Sequence, residues 1–179
     1  MKAVTELLRE QLGGAVNVGK ALRDYAGVWL GRNTKLAAPL HKSPRTPLST
    51  RITGARRFVA QSWNFDRVRA VGKAFDGTLN DAVLGMISGA LRRHLIEQGA
   101  LPKYSLKAMA PVSLRAADDL DSANAVGFIT ANLATDIKDP AKRMRVIHDS
   151  MAAGKDQLSG MSRREIEIYT MLTQAPMLL

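Results

Sequence analysis

The chain has 179 residues, 46% of them hydrophobic and 23% charged, with no cysteine and a net charge of +10. That length supports one sizeable core, or one small domain with an appended segment, and the balance of apolar and charged residues describes a soluble globular class rather than disorder. The absence of cysteine excludes a disulfide framework, a thiolate nucleophile and a thiolate-ligated zinc, and fits a reducing, cytoplasmic setting.

The charge is unevenly spread. Residues 1–57 hold 11 Lys or Arg against three acids, Glu6, Glu10 and Asp24, a net of +8. Residues 58–179 hold 15 basic and 13 acidic residues, a net of only +2. Such a basic third suits a solvated linker, an anionic membrane headgroup, an acidic protein face or a nucleic acid. No apolar run approaches the roughly 18 residues that a membrane span needs, and MKAVTELLREQLGG has no apolar core of a signal peptide.

In chain order, residues 2–31 read as helix, with Val4, Leu7, Leu8, Leu12 and Val16, then Leu22, Tyr25, Val28 and Trp29, at three- and four-residue spacing. Gly13-Gly14 weakens its middle and is a candidate break. From Gly31 to Thr50 three prolines and several hydroxyl residues mark an extended connector. The chain therefore divides into a helical, basic linker over 1–50 and a lobe over 51–179. Arg57–Trp63 suits a strand, and Asp66 is placed to cap a short helix through Phe75 that Gly77 ends. Thr78 opens a helix to Gln98, closed by Gly99. Ser105–Leu114 and Ala125–Leu133 read as strands, the first limited by Pro111 to an edge, a bulge or an end. Asp139-Pro140 supplies a cap and a first-turn proline for a helix with Met144, Ile147, Met151 and Leu158 on one face. Ser162 and Glu165 form a capping box for a last helix that Pro176 limits, and the apolar MLTQAPMLL after it expects something to pack on. The order is α/β or α+β, a mixed sheet with flanking helices.

Candidate chemistry is sparse. His41, His94 and His148 form no i, i+3 or i, i+4 pair with one another, and there is no HExxH, so each reads as a surface or partly packed side chain rather than a general base. Ser88 lies inside a helix, not at a strand-to-helix elbow, and Ser159 has no matched base. No GxGxxG or Walker loop occurs, and few aromatics accompany the basic residues, which leaves nucleic acid binding without a stacking platform. Asn80-Asp81 is the exception. With Thr78 as N-cap, Asp81 stands at the third helical position, where its carboxylate reaches back to the cap amide. Capping accounts for Asp81; Asn80 has no such role, while Gly85, Ser88 and Gly89 allow another backbone to come close.

The ordered segments RRFVAQSWNFDRVRAV, GTLNDAVLGMISGALRRHLIEQGALP, LKAMAPVSLRAADD and ANLATDIKDPAKRMRVIHDSM closely resemble the bacterial wax ester synthase/diacylglycerol acyltransferase family. PLSTRI, Pro47 to Ile52, resembles its PLNxxI segment, with Ser49 where the family has Asn. The resemblance runs from about Pro47 to Leu179. It implies a lobe like those of chloramphenicol acetyltransferase and other CoA-dependent acyltransferases, in which two αβ lobes meet around a channel for acyl-CoA and an alcohol. It also implies that a histidine in an HHxxxDG motif on the N-terminal lobe takes the proton of a fatty alcohol or diacylglycerol, whose oxygen attacks the thioester.

Neither HHxxxDG nor any His-His pair occurs in this chain, and the family's SNVPGP-type segment is absent. The expectation is therefore a partial C-terminal lobe without its N-terminal partner, inactive alone, with acyl-CoA as substrate and no bound cofactor or metal. Asn80 and Asp81 correspond to the family's ND motif, a supporting element, and Thr78 is a structural cap. Arg115 corresponds to another recurrent position, with Asp118 or Asp119 as a possible ion-pair partner. A non-catalytic alternative is an acyl-binding or lipid-surface module, peripheral at a membrane or lipid droplet through its basic N-terminal helix.

Overall fold

A computed structural model describes residues 2–51, 53–113 and 126–174. The elements are α1 (Lys2–Trp29), a 3₁₀ turn at Pro47–Ser49, α2 (Phe65–Ala74), α3 (Leu79–Glu97), β1 (Lys107–Ser113), β2 (Val126–Asn132), α4 (Pro140–Leu158) and α5 (Arg163–Gln174). β1 and β2 pair with each other in a small antiparallel sheet, which makes the chain mixed α and β. Two compact units are formed: Met1–His41 with Lys107–Ala131 and Ser150–Leu179, and Lys42–Leu106 with Asn132–Asp149.

In the first unit, α1 runs unbroken through Gly13-Gly14 and packs against α5. Val28, Leu36 and Ala38 form a buried cluster on which Tyr25 and Ala153 pack, so the proline-rich stretch after α1 is non-helical yet buried over Leu36–Pro39. Polar ties fasten the helices: Gln157 donates to the Ala21 carbonyl (2.9 Å) and accepts from the Tyr169 hydroxyl (2.9 Å). Burial pushes the Tyr25 phenol up to about 12 and the Tyr169 phenol higher still. The box predicted at Ser162 and Glu165 is present: the Glu165 amide donates to Ser162 Oγ (3.4 Å) and the Ser162 amide donates to Glu165 Oε2.

The second unit holds α2, α3 and the start of α4. Asn64, not Asp66, caps α2, its Oδ1 accepting from the Arg67 amide at 3.0 Å; Asp66 lies in the first turn instead. α2 stops at Ala74, and the left-handed residue that turns the chain is Asp76 (φ 55°) rather than Gly77. At the far end of α3 the expectation is met: Gln98 is the C-cap and Gly99 (φ 62°) takes the left-handed conformation. Arg57–Trp63 is not a strand. It has no ladder partner among the described residues, and Phe58 and Val59 are about nine-tenths exposed. A strand pattern is only a fit to a pleated surface, and without a neighbouring strand no ladder forms.

α4 begins as predicted, with the Lys142 amide donating to Asp139 Oδ1 at 2.8 Å, and that bond holds the Asp139 carboxyl below its usual range. Two guanidiniums hold the chain between β2 and α4. Arg92 Nη1 donates to the Thr135 carbonyl (2.7 Å), and Arg143 Nη1 donates to those of Ile137 (3.1 Å) and Lys138 (2.9 Å).

Candidate functional site

The site grows out of the turn between α2 and α3. Thr78 is extended (φ −96°, ψ 169°), which frees its side chain to face the first helical turn. Its Oγ1 accepts from the Asp81 amide at 3.3 Å, and Asp81 Oδ2 accepts from the Thr78 amide at 2.8 Å. The capping box read from the sequence is therefore complete. Gly77 precedes it because a side chain there would crowd the carboxylate: a Cβ would stand 3.0 Å from Asp81 Oδ2.

Capping does not exhaust Asp81. Its side chain is 1% exposed, and Oδ2 also lies 3.1 Å from Nδ1 of His148 on α4, 67 positions away. An ionised carboxylate offers only lone pairs, so this contact is a hydrogen bond when Nδ1 carries the hydrogen, and Nε2 is then the ring nitrogen turned away from Asp81. Asp81 Oδ1 is buried with no hydrogen-bond partner among the described residues. No partner for His148 was legible locally, since pairing it with Asp81 requires α4 to lie along α3. The signal available was the helical face itself: His148 follows the core residue Ile147 and sits four residues after Met144.

Asn80 lies beside this pair but faces solvent, and its side chain makes no hydrogen bond among the described residues. The small residues of α3 let α4 approach. A Cβ on Gly85 would fall 2.2 Å from Met144 Sδ, and one on Gly89 would lie 3.6 Å from Arg143 Nη2. Ser88 is fully buried and donates to the Leu133 carbonyl, so it is no nucleophile. Ser159 donates to the Asp156 carbonyl at 2.7 Å. His41 stacks edge-on to Trp29 with centroids 5.0 Å apart, and His94 is exposed. Arg115, with Asp118 and Asp119, lies outside the described residues.

A carboxylate that fixes one ring nitrogen of an imidazole and leaves the other available is the orienting half of an acid–base device. Its other half, a hydroxyl or thiol bonded to Nε2, is not present among the described residues. No group of three His, Asp or Glu able to hold a metal ion occurs among them either.

Two family models match the chain. Residues 1–83 match the wax ester synthase/diacylglycerol acyltransferase catalytic domain and residues 122–178 match the C-terminal domain of the same family. The Asn80-Asp81 pair falls at the end of the first match. A probable diacylglycerol O-acyltransferase of Mycobacterium tuberculosis is 44% identical over 138 residues, 76% of this chain and 30% of that protein. The O-acyltransferase WSD of Acinetobacter baylyi is 34% identical over 176 residues, 98% of this chain and 38% of that protein. The solved wax ester synthase/diacylglycerol acyltransferase of Marinobacter aquaeolei superposes with a TM-score of 0.65 at 34% identity, covering 92% of this chain and 34% of that one. The chain belongs to the wax ester synthase/diacylglycerol acyltransferase family. It spans 30–38% of the length of these curated relatives.

Proposed function

We propose that this chain forms part of an acyl-CoA-dependent O-acyltransferase that makes wax esters or triacylglycerol, with a fatty alcohol or diacylglycerol as acceptor. The observation that carries the reading is the pair of matches to one family's catalytic and C-terminal domain models, at residues 1–83 and 122–178. Acyl-CoA is the donor, and the cytoplasm, where acyl-CoA is made, is the compartment. Attack on the thioester needs a base to take the hydroxyl proton and a donor for the tetrahedral oxyanion. With no His-His pair in the chain, the base comes from a second lobe. Asn80-Asp81 supports the architecture around it, Thr78 and His148 holding Asp81 while Asn80 presents an unengaged amide.

The test uses labelled palmitoyl-CoA with hexadecanol or dioleoylglycerol, and product analysis by thin-layer chromatography. The chain alone is expected to give no product. Co-expressed with the part of the Acinetobacter baylyi WSD protein that lies outside the 38% matched by this chain, it is expected to give wax ester or triacylglycerol. Substituting Asn80 by Ala should lower that turnover; unchanged turnover removes Asn80 from the site, and no turnover in any combination removes the reading.

A second reading, a lipid-surface module, is favoured by one feature of the first unit. Arg23, Arg32 and Lys35 line an open cleft of about 590 Å³ together with the exposed Leu30 and with Asp24, which pairs with Arg23 at 3.7 Å, so the cations outnumber the acid. Cations beside apolar side chains suit an anionic interface. No described helix is long and apolar enough to cross a membrane. Co-sedimentation with phosphatidylglycerol vesicles but not with phosphatidylcholine vesicles supports this reading; equal or absent binding removes it.

A further inference from the structure

Arg92 of α3 and Arg143 of α4 bring two guanidiniums to one short stretch of the second unit. Arg92 Nη1 donates to the Thr135 carbonyl at 2.7 Å, and Arg143 Nη1 donates to the Ile137 and Lys138 carbonyls at 3.1 and 2.9 Å. Arg143 Nη2 lies over α3, 3.6 Å from where a Cβ on Gly89 would stand. Gly89 precedes Arg92 by three residues and so shares its helical face. Both heads are therefore held close together, by backbone carbonyls rather than by acids.

Neither head has a carboxylate partner among the described residues. Nη2 of Arg143, and Nε and Nη2 of Arg92, make no hydrogen bond there, and Arg143 Nε is buried without an acceptor. Asp139, whose charge favours the Arg143 cation, spends its Oδ1 on the Lys142 amide. Burial first, and the Arg92 charge second, work against that cation and hold its pKa below the ordinary value. Over residues 135–146, Lys138, Lys142, Arg143 and Arg145 outnumber Asp136 and Asp139, so the surroundings do not neutralise the pair.

Holding a loop does not call for two adjacent cations. Ser88 holds the nearby Leu133 carbonyl with a neutral hydroxyl, and no like charges are brought together. Two guanidinium forks with open N–H edges match an anion that carries close to two charges and several acceptor oxygens. We propose that Arg92 and Arg143 form a binding site for a phosphomonoester, whose three oxygens and nearly double charge meet both heads at once. A carboxylate or a phosphodiester brings a single charge and leaves one head unmatched. Two ligands present a phosphomonoester: coenzyme A through its 3′-phosphate, and phosphatidate through its headgroup. The site goes beyond the acyltransferase reading and is measured by binding, without turnover.

The test follows the arginine Nε–H signals of the 179-residue chain by NMR as inorganic phosphate is added, with acetate at equal ionic strength as the control. The expected result is a saturable shift at Arg92 and Arg143 that acetate does not produce. Two further arms separate the sources: calorimetry with coenzyme A against dephospho-coenzyme A, and co-sedimentation with phosphatidate against phosphatidylglycerol vesicles. In the arm that applies, loss of the phosphomonoester should weaken binding about tenfold or more, the value of one charge-assisted bond. Arg92→Lys, which keeps the charge and loses the fork, and Arg143→Gln should each weaken phosphate binding about tenfold. Lys142→Ala should bind close to wild type. If circular dichroism shows Arg143→Gln unfolded, the wild-type titration and Arg92→Lys decide. No saturable shift, an equal shift with acetate, no discrimination in either arm, variants that bind like wild type, or an equal loss in Lys142→Ala each overturn the site and leave a loop clamp. Acyl transfer enters none of these readouts, so the site and the acyltransferase reading fail separately.

Discussion

Asp81 Oδ2 accepts the Thr78 amide at 2.8 Å and stands 3.1 Å from His148 Nδ1, so one oxygen both caps α3 and ties it to α4. Removing either donor leaves a 1%-exposed carboxylate with one bond fewer, while its other oxygen already lacks a partner among the described residues. His148→Ala is expected to destabilise the protein by about 1–3 kcal/mol, the cost of an unmet buried acceptor. His148→Gln, which restores a donor, should recover part of that. Urea unfolding measures both, and wild-type stability for His148→Ala would show that the bond carries no weight.

The cap itself makes a smaller, local contribution. Thr78→Ala removes the oxygen that receives the Asp81 amide and should cost about 1 kcal/mol, while Thr78→Ser should be close to wild type. Hydrogen exchange resolves the location: only the first-turn amides of α3 should lose protection. Uniform loss along α3 would mean that the cap is not the local lock described.

Acid should act through two helix starts. The Ser162 amide holds the Glu165 carboxyl below its usual range, and the Lys142 amide does the same for Asp139. A carboxylate whose folded pKa is depressed contributes stability that is present above its unfolded pKa and lost as pH falls through the folded value. Stability contributed by these two groups should thus be flat from pH 7 to about 5 and decline below about pH 4.5, where the unfolded chain takes up protons first. Glu165→Gln and Asp139→Asn should each lower stability at pH 7 and flatten the acid limb of a melting-temperature profile. An unchanged limb in both variants would contradict the assignment.

What was legible in the sequence follows from the range of the forces involved. The boxes at Thr78–Asp81 and Ser162–Glu165, the Asp139-Pro140 start and the Gly99 stop are local, and each closes within a few residues. The family match was carried by ordered motifs, Asn80-Asp81 among them, without saying what Asp81 touches. Arg57–Trp63 has the right residues for a strand, but a ladder needs a second strand, which no local pattern supplies. The partnership of Asp81 with His148 spans 67 positions and was invisible for the same reason. Asn64 displaced Asp66 as the cap of α2 because both can accept a helical amide and only the path of the preceding chain decides between them.

Two helical glycines separate rigid from yielding contacts. A Cβ on Gly72 of α2 would fall 2.5 Å from the Thr78 carbonyl oxygen, which already accepts the Ala82 amide (3.2 Å) as the first helical bond of α3. That oxygen cannot move without loosening the start of α3 and the Asp81 cap with it. A Cβ on Gly85 would meet Met144 Sδ at 2.2 Å, closer still, but a thioether on a flexible chain can take another rotamer. Both changes gain the roughly 1 kcal/mol by which alanine exceeds glycine in a helix. Overpacking against backbone costs about 1–3 kcal/mol, so Gly72→Ala should be destabilising on balance and Gly85→Ala nearly neutral. Combining each with Met144→Leu discriminates further: the second pair should couple in a double-mutant cycle and the first should not. Urea unfolding of the five variants decides the matter. Gly72→Ala as stable as wild type would show that the α2–α3 turn yields, and that Asp81 is held by something other than a fixed carbonyl beside it.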